Sequence, residues 1–213
     1  RGGVAKDKIR IVFNGVDASS APERDRSVLR EFGIREEEKV ITILTRFSEE
    51  KGVPFLLRSI ARLKETTAVP FRLLLVGTGP DFDRDKALLP QLGIEDKVVL
   101  TGFRTDTAKL LAASDIYLNS SSSEAMSFAI LEAMGAGLPL VLTDVGGNPE
   151  LVNTGSVSGL LAPYGDEDAY AAAIASLLED DGLRTRYAAA ARAKARREFD
   201  LYNLLDKLFE IYK

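Results

Sequence analysis

The stretch that most constrains the fold runs from Leu118 to Val152 and reads LNSSSSEAMSFAILEAMGAGLPLVLTDVGGNPELV. An apolar segment, Asp115–Asn119, is followed by serines, by helix-forming residues from Ala129 to Met134, and by a second apolar segment after Pro139. This order predicts a strand, a polar loop, a helix that ends at Gly135-Ala-Gly137, and a return strand. In open α/β sheets such a unit binds anions and polyols at the helix N-terminus.

The rest of the chain alternates in the same way between apolar and amphipathic segments. The predicted strands are Lys8–Phe13, Val40–Thr45, Phe71–Gly77, Lys97–Thr101 and Gly159–Ala162. The predicted helices lie around Arg24–Phe32, Pro54–Lys64, Phe82–Leu92, Thr105–Ala113, Asp166–Leu178, Gly182–Phe199 and Leu201–Tyr212. Continuous apolar strands separated by helices predict an α/β fold with a doubly wound, Rossmann-like parallel sheet that is covered on both faces.

The commonest strand order for such a sheet places the Val40 strand in the centre, beside the Asp115 strand. Ligands bind outside the carboxyl ends of the strands at the point where the order reverses. The loops that leave these two strands are Arg46–Gly52 and Ser120–Ser127. We therefore expect two stretches that are distant in the sequence to meet at one crevice.

The side chains of the two loops are chemically complementary. Arg46 and Lys51 supply cations, and Gly52 allows the chain to turn close to a ligand. Unpaired backbone N–H groups near 126–128 add an anion site at the helix start. Glu124 and Glu132 can accept hydrogen bonds from hydroxyl groups. A site that binds a diphosphate, flanked by carboxylates that accept hydrogen bonds from hydroxyl groups, indicates a nucleotide-sugar as the ligand.

Composition narrows the chemistry further. The chain has no cysteine and no histidine, so the site must work with carboxylates, Lys, Arg and backbone amides. The net charge of −4 argues against nucleic acid as a partner, because phosphate contacts need a cationic surface. No apolar run approaches the roughly 20 residues of a membrane span and no signal peptide is visible, so we expect a cytoplasmic protein.

Several segments resemble, in the same order, the retaining GT-B glycosyltransferases of glycosyltransferase family 4, also called group 1. Glu124 and Glu132 resemble its Glu-x7-Glu motif. The other matching segments are IVFNGVD at 11–17, TRFSEEKG at 45–52, LVGTGP at 75–80, LTGF at 100–103, LEAMGAGLPLV at 131–141 and GGNPELV at 146–152. The similarity covers nearly the whole chain.

The resemblance implies roles for single residues. Arg46 and Lys51 match the cations that grip the donor diphosphate and stabilise the leaving nucleoside diphosphate. Glu132 matches the acid that binds the ribose hydroxyls, and Glu124 matches the acid beside the transferred sugar. Together Glu124, Arg46 and Lys51 are the implied catalytic residues.

Other positions are implied to contact the substrate. Phe103 and Arg104 match positions whose backbone meets the base, and Gly79 matches a glycine of the turn that lines the nucleotide pocket. Ser127, where many members have glycine, and Phe128 start the helix at the anion site. The resemblance implies a UDP-, GDP- or ADP-sugar as donor, and it implies no metal and no cofactor.

In this family NGVD follows the linker from an N-terminal domain that carries the acceptor site. The chain therefore looks like the C-terminal, donor-binding half: one domain, 1–213, with a segment next to the linker at 1–38. The helices at 182–213 are expected to cross back to the missing N-terminal domain. The last helix has an apolar stripe that would otherwise find its own core, form a homodimer or stay partly exposed, and its members are Leu201, Leu204, Leu205, Leu208 and Ile211 or Tyr212.

Simpler interpretations remain open for the same residues. Glu132 could be a solvated helix acid, and Glu124 could be a first-turn acid that the helix dipole favours. Arg46 and Lys51 could form surface ion pairs with Glu49 or Glu50. The chain could also be a nucleotide-sugar-binding module without activity of its own, or an epimerase or phosphorylase relative on the same fold. The base, the sugar and the acceptor are left open.

Overall fold

A computed structural model describes residues 8–10, 12–18, 21–153 and 155–213. In this part of the chain six parallel strands form one sheet in the order β3-β2-β1-β4-β5-β6. The strands are β1 (Lys39–Leu44), β2 (Phe71–Val76), β3 (Val98–Gly102), β4 (Ile116–Asn119), β5 (Leu140–Thr143) and β6 (Gly159–Ala162). The doubly wound Rossmann-like fold is confirmed, and the strand order reverses between β1 and β4.

Helices cover both faces of this sheet. They are α1 (Val53–Thr66), α2 (Phe82–Lys86), α3 (Leu88–Leu92), α4 (Thr107–Ala113), α5 (Phe128–Ala136), α6 (Asn148–Asn153), α7 (Glu167–Glu179), α8 (Asp181–Glu198) and α9 (Leu201–Tyr212). Short 3-10 helices span Arg26–Phe32 and Glu49–Lys51. The helix expected around 24–32 is thus a 3-10 helix, and α6 was not predicted.

The two faces of the sheet follow from the alternation of side chains along the strands. On one face Ile41 and Ile43 of β1 pack with buried residues of α1, α3 and α7. On the other face Tyr117 and Leu140 pack with α5, α6 and α8. Because both faces are covered, the strands are mostly apolar. The charged residues predicted for the site lie on loops and on helix α5, and polar strand residues such as Thr42 and Asn119 are buried and hydrogen-bonded.

The helix predicted around 82–92 is broken into α2 and α3 at Ala87. Pro90 explains the break, because its ring would clash with the carbonyl group four residues earlier and it has no N–H to donate. That carbonyl belongs to Lys86, where α2 ends.

The strand predicted at Lys8–Phe13 is wrong for the residues that the structure describes, and Ile11 lies outside them. The segment that follows pairs instead with the C-terminal part of the chain. Val16 N donates to Phe199 O at 2.7 Å, and Leu201 N donates to Val16 O at 3.2 Å. Local β-propensity alone does not make a strand, because a strand also needs a neighbouring strand to pair with.

The apolar stripe of α9 is only partly covered. Leu201, Leu204 and Leu208 are half-buried, whereas Leu205, Ile211 and Tyr212 are exposed. No residue of this helix is buried. None of the helices in the described ranges has both the length and the apolar character needed to cross a membrane.

Candidate functional site

The structure brings the two predicted loops into direct contact at the carboxyl ends of β1 and β4. Ser122 N donates to Glu50 O at 2.9 Å, and Ser120 Oγ donates to Lys51 O at 2.9 Å. Gly52 has φ +63, and a Cβ atom there would lie 2.2 Å from Ser120 O. The loops therefore meet backbone against backbone, and only glycine fits at the point of contact.

Lys51 and Glu124 form an ion pair across this junction. Lys51 Nζ donates to Glu124 Oε2 at 2.8 Å, and Ser121 Oγ donates to the same oxygen at 3.1 Å. The Glu124 side chain is 11% exposed and that of Lys51 is 26% exposed. The sequence offered Glu49 or Glu50 as partners for Lys51, but the lysine pairs with the acid of the other loop.

Arg46 occupies a different position in the same loop. Its side chain is exposed, and within the described chain its guanidinium makes no hydrogen bond or ion pair. Its backbone is held by the turn after β2, because Phe47 N donates to Thr78 O at 3.2 Å and Asp81 N donates to Phe47 O at 3.1 Å. The side chain of Arg46 can therefore turn towards a ligand without losing a partner.

Two glycines of that turn allow it to lie directly on the loop of Arg46. A Cβ atom at Gly77, which has φ +135, would lie 1.8 Å from Thr45 O. A Cβ atom at Gly79 would lie 2.3 Å from Phe47 O. Gly79, assigned to the nucleotide pocket by resemblance, thus has a packing requirement of its own.

The start of α5 faces the same loop region. Ser127 is the residue before the first helical residue, and its side chain makes no capping hydrogen bond. The first N–H groups of any α-helix have no partner inside the helix, so those of α5 remain available to an anion. Phe128, the first helical residue, exposes 56% of its surface.

Glu132 lies one turn further along α5. Partial burial raises the pKa of its carboxyl group above the ordinary value. In the described part of the chain this carboxylate has no hydrogen bond or ion pair. It borders a cavity of about 200 Å³ between α4, α5 and residues 16, 17, 21 and 22. Neither Arg46 nor Lys51 lines this cavity.

The buried side chain of Tyr117, on β4, is affected by the charges of both Glu124 and Glu132. Its hydroxyl donates to Leu44 O at 3.4 Å, at the end of β1. Burial raises the pKa of Tyr117, and the negative charges of Glu132 and Glu124 raise it further. The Tyr117 hydroxyl therefore stays protonated, at the point where the strand order reverses.

Phe103 and Arg104 follow β3, two strands away from β1. Phe103 is 75% exposed. Arg104 donates to Asp106 Oδ2 at 2.8 Å and to Glu31 Oε1 at 2.7 Å, and its guanidinium lies over the ring of Phe32. The guanidinium of Arg104 is therefore engaged by other parts of the chain, and 26% of the side chain remains exposed.

The sequence did not predict the residues that support the loop of Glu124 on the side of α6. Gly147 N donates to Glu124 O at 3.0 Å, and a Cβ atom at Gly146 would lie 1.8 Å from that oxygen. Asn119 and Asn148 are buried beside the loop. The available signals were the Gly-Gly dipeptide after a strand and the two asparagines next to apolar runs.

Among the described residues no group of three or more acidic side chains could hold a metal ion.

Comparison with known proteins adds to this geometry. A family model described as Glycosyl transferases group 1 matches residues 25–194. The N-acetyl-alpha-D-glucosaminyl L-malate synthase of Bacillus anthracis is 34% identical over 96% of this chain and 53% of its own length. The D-inositol 3-phosphate glycosyltransferase of Mycobacterium marinum is 32% identical over 97% of this chain and 45% of its own.

A solved structure agrees with the sequence relatives. The crystal structure of Anabaena Alr3699/HepE in complex with UDP-glucose matches with a TM-score of 0.88 and 27% identity, over 99% of this chain and 58% of that one. The chain thus spans about half the length of the relatives that it matches.

Proposed function

Because this chain belongs to the glycosyl transferases of group 1, we propose that it is the donor-binding half of a retaining enzyme. The enzyme would transfer a sugar from a nucleoside-diphosphate sugar to an acceptor hydroxyl. Residues 1–213 would form one domain, with 1–38 next to the linker and 182–213 reaching the N-terminal acceptor domain. The partly exposed stripe of α9 is consistent with such a neighbour.

One observation carries the proposal: the loop of Arg46 and Lys51 is hydrogen-bonded to the loop of Glu124 in front of the α5 N-terminus. Two cations and a set of unpaired N–H groups suit a diphosphate. Glu124 lies in this crevice and suits the hydroxyl groups of a sugar. Glu132, which borders a separate cavity, suits the hydroxyl groups of a ribose. A nucleoside-diphosphate sugar carries these groups in the required order.

The donor nucleotide that we propose first is UDP. The Anabaena protein was crystallised with UDP-glucose and is similar over almost the whole of this chain. The ribose would lie beside Glu132, whose carboxylate has no partner in the described chain. The base would meet the backbone at Phe103 and Arg104, because the side chain of Arg104 is held by Asp106 and Glu31.

In the complete enzyme, Arg46 and Lys51 would stabilise the negative charge that develops on the leaving UDP as the glycosidic bond breaks. Such preorganised donors are each worth a few kcal/mol in a water-poor site. Glu124 would orient the sugar and offset the positive charge that develops at its anomeric carbon. The acceptor is not assigned, since the names of the relatives point to different ones.

A thermal-shift screen of the 213-residue chain with UDP-, GDP- and ADP-glucose and with UDP-N-acetylglucosamine tests the proposal. A ligand at about 100 times its dissociation constant adds about 2.7 kcal/mol to the free energy of unfolding. We expect UDP and at least one UDP-sugar to raise the melting temperature, and nicotinamide dinucleotide to leave it unchanged. No shift with any nucleotide would refute the proposed function.

The raised pKa of Glu132 predicts a pH effect on donor binding. The ionised carboxylate accepts hydroxyl hydrogen bonds more strongly than the protonated acid, so donor affinity should fall as the pH is lowered towards the raised pKa of Glu132. The fall should begin at a higher pH than for an ordinary Glu. UDP-glucose is the suitable probe, because both of its phosphates are esterified and do not titrate in this range. Calorimetry should find affinity lowered about tenfold at neutral pH in Glu132→Gln, with a flatter pH profile.

The pH profiles of the unmodified chain and of Glu132→Gln are compared to test this prediction. A Glu132→Gln profile with the same slope as the unmodified chain would assign the pH effect to another group. A variant with unchanged affinity would place the ribose away from Glu132.

A further inference from the structure

We propose that Asn148 is a positioning residue for the sugar half of the donor site, acting on Glu124 through Asn119 and Ser121. The inference rests on the proposed function and adds to it a residue of α6 that does not touch the donor. Asn148 belongs to the segment GGNPELV, to which the sequence reasoning assigned no role.

A continuous hydrogen-bonded path joins Asn148 to Glu124. Asn148 Nδ2 donates to Asn119 Oδ1 at 3.2 Å, and Asn119 Nδ2 donates to Ser121 Oγ at 3.2 Å. Ser121 Oγ then donates to Glu124 Oε2 at 3.1 Å. Asn119 Oδ1 also accepts from Ser121 N at 3.3 Å, so Asn148 and the Ser121 backbone together hold the Asn119 amide. The Nδ2 group of Asn119 then occupies a lone pair of Ser121 Oγ and leaves the hydroxyl hydrogen for Glu124.

The path is shielded from water and held on several sides. Asn148, Ser121 and Asn119 are 0%, 1% and 6% exposed. Asn148 Nδ2 also donates to Thr143 O at 2.9 Å, while Thr143 Oγ1 donates to Ser121 O at 2.7 Å. Burying an amide and a hydroxyl is costly unless they are hydrogen-bonded. The Nδ2 group of Asn148 is hydrogen-bonded twice, whereas its Oδ1 is buried without a partner among the described residues. Polar residues here fix an orientation that apolar residues would not.

The resulting orientation of the Glu124 carboxylate is suited to binding a sugar hydroxyl. Lys51 and Ser121 both donate to Oε2 of Glu124. Within the described residues Oε1 accepts no hydrogen bond, so this oxygen is the one presented to a hydroxyl of the donor. If Ser121 no longer points at Oε2, the carboxylate is held by Lys51 alone and can rotate.

This geometry predicts which part of the donor responds to a change at Asn148. The UDP moiety contacts Arg46, Lys51 and the α5 N-terminus in the proposed site. Of these only Lys51 touches the path, at Glu124 Oε2, and it donates to that oxygen independently of Ser121. The sugar contacts Glu124. Asn148 should therefore influence the affinity for a UDP-sugar and leave the affinity for UDP nearly unchanged.

Calorimetry with UDP and with the UDP-sugar that gives the largest thermal shift tests this inference. Asn148→Leu keeps the branched shape of the side chain, although it is larger, and removes the donor. Ser121→Ala removes the hydroxyl at the other end of the path. For both variants we expect the UDP-sugar to bind about tenfold more weakly and UDP to change less than about twofold. Circular dichroism verifies that each variant is folded.

A double-mutant cycle establishes whether Asn148 acts through Glu124. In a Glu124→Ala background, adding Asn148→Leu should have no further effect on the ratio of the two affinities. Thr42→Val is the matched control, because Thr42 is equally buried and bonds to Ser114 Oγ at 2.6 Å outside this path. We expect it to lower the melting temperature and to leave the ratio of affinities unchanged.

Three results would overturn the inference: an unchanged ratio in Asn148→Leu and Ser121→Ala, a change that persists fully in the Glu124→Ala background, or the same change in Thr42→Val. Each of them leaves the proposed function intact, provided that the unmodified chain binds the UDP-sugar. Absence of all binding by the unmodified chain would instead remove the proposed function, and the inference with it.

Discussion

Arg46→Ala is expected to weaken UDP binding by roughly 1.5 to 3 kcal/mol, which is about tenfold to 150-fold in the dissociation constant. The guanidinium has no hydrogen bond or ion pair to lose within the described chain, so the free energy of unfolding should stay within about 0.5 kcal/mol of the unmodified value. Calorimetry measures the first effect and a chemical-denaturation curve measures the second.

Lys51→Ala should weaken UDP binding to a similar extent but differ from Arg46→Ala in stability. It leaves Glu124, which is 11% exposed, without its cation. Removing one partner of a pair that is partly withdrawn from water is destabilising, so we expect a lower melting temperature for this variant alone.

Arg186→Ala is the control for both charge deletions, because Arg186 is an exposed cation on α8. It removes one positive charge without touching either loop. Unchanged UDP binding in Arg46→Ala and Lys51→Ala would remove both residues from the site. An equal loss in Arg186→Ala would mean that only the net charge matters.

Gly52→Ala should damage both stability and donor binding, because it forces the two loops apart. A methyl group at this position would lie 2.2 Å from Ser120 O, and alanine is strained at φ +63. The strain costs about 1 to 2 kcal/mol, and the clash adds about 1 to 3 kcal/mol. We expect UDP binding to fall by more than about tenfold, since Lys51 and Glu124 would separate.

Gly93→Ala isolates the effect of the clash. Gly93 has the same φ of +63, but a Cβ atom there would meet nothing within 4 Å. This variant should lose only the stability due to strain, a few degrees in melting temperature for a chain of this size, and should bind UDP normally. Equal stability and equal UDP binding in the two alanine variants would show that the contact between the loops is not required.

The elements of the fold could be predicted well because their signals are local. The last strand and the last helix have the predicted bounds, Gly159–Ala162 and Leu201–Tyr212. Side-chain periodicity and glycine or proline at the ends of segments report on neighbours in the sequence, and these are sufficient for α1 and for β1. The strand expected at Lys8–Phe13 failed because a strand needs an edge to pair with, and pairing is not a local property.

The sequence by itself determined the parallel α/β fold and the family, because each depends on residue types in a local order. The commonest strand order for such a sheet then indicated which two loops meet. Only the tertiary structure decided that Lys51 pairs with Glu124, 73 positions away, and that Asn148 reaches Asn119, 29 positions away. The need for glycine at positions 52 and 146 is also explained only by the folded chain, because each of these residues lies against a carbonyl oxygen of another segment. Contacts between distant segments depend on how the helices and strands pack, and a local pattern of residues does not predict that packing.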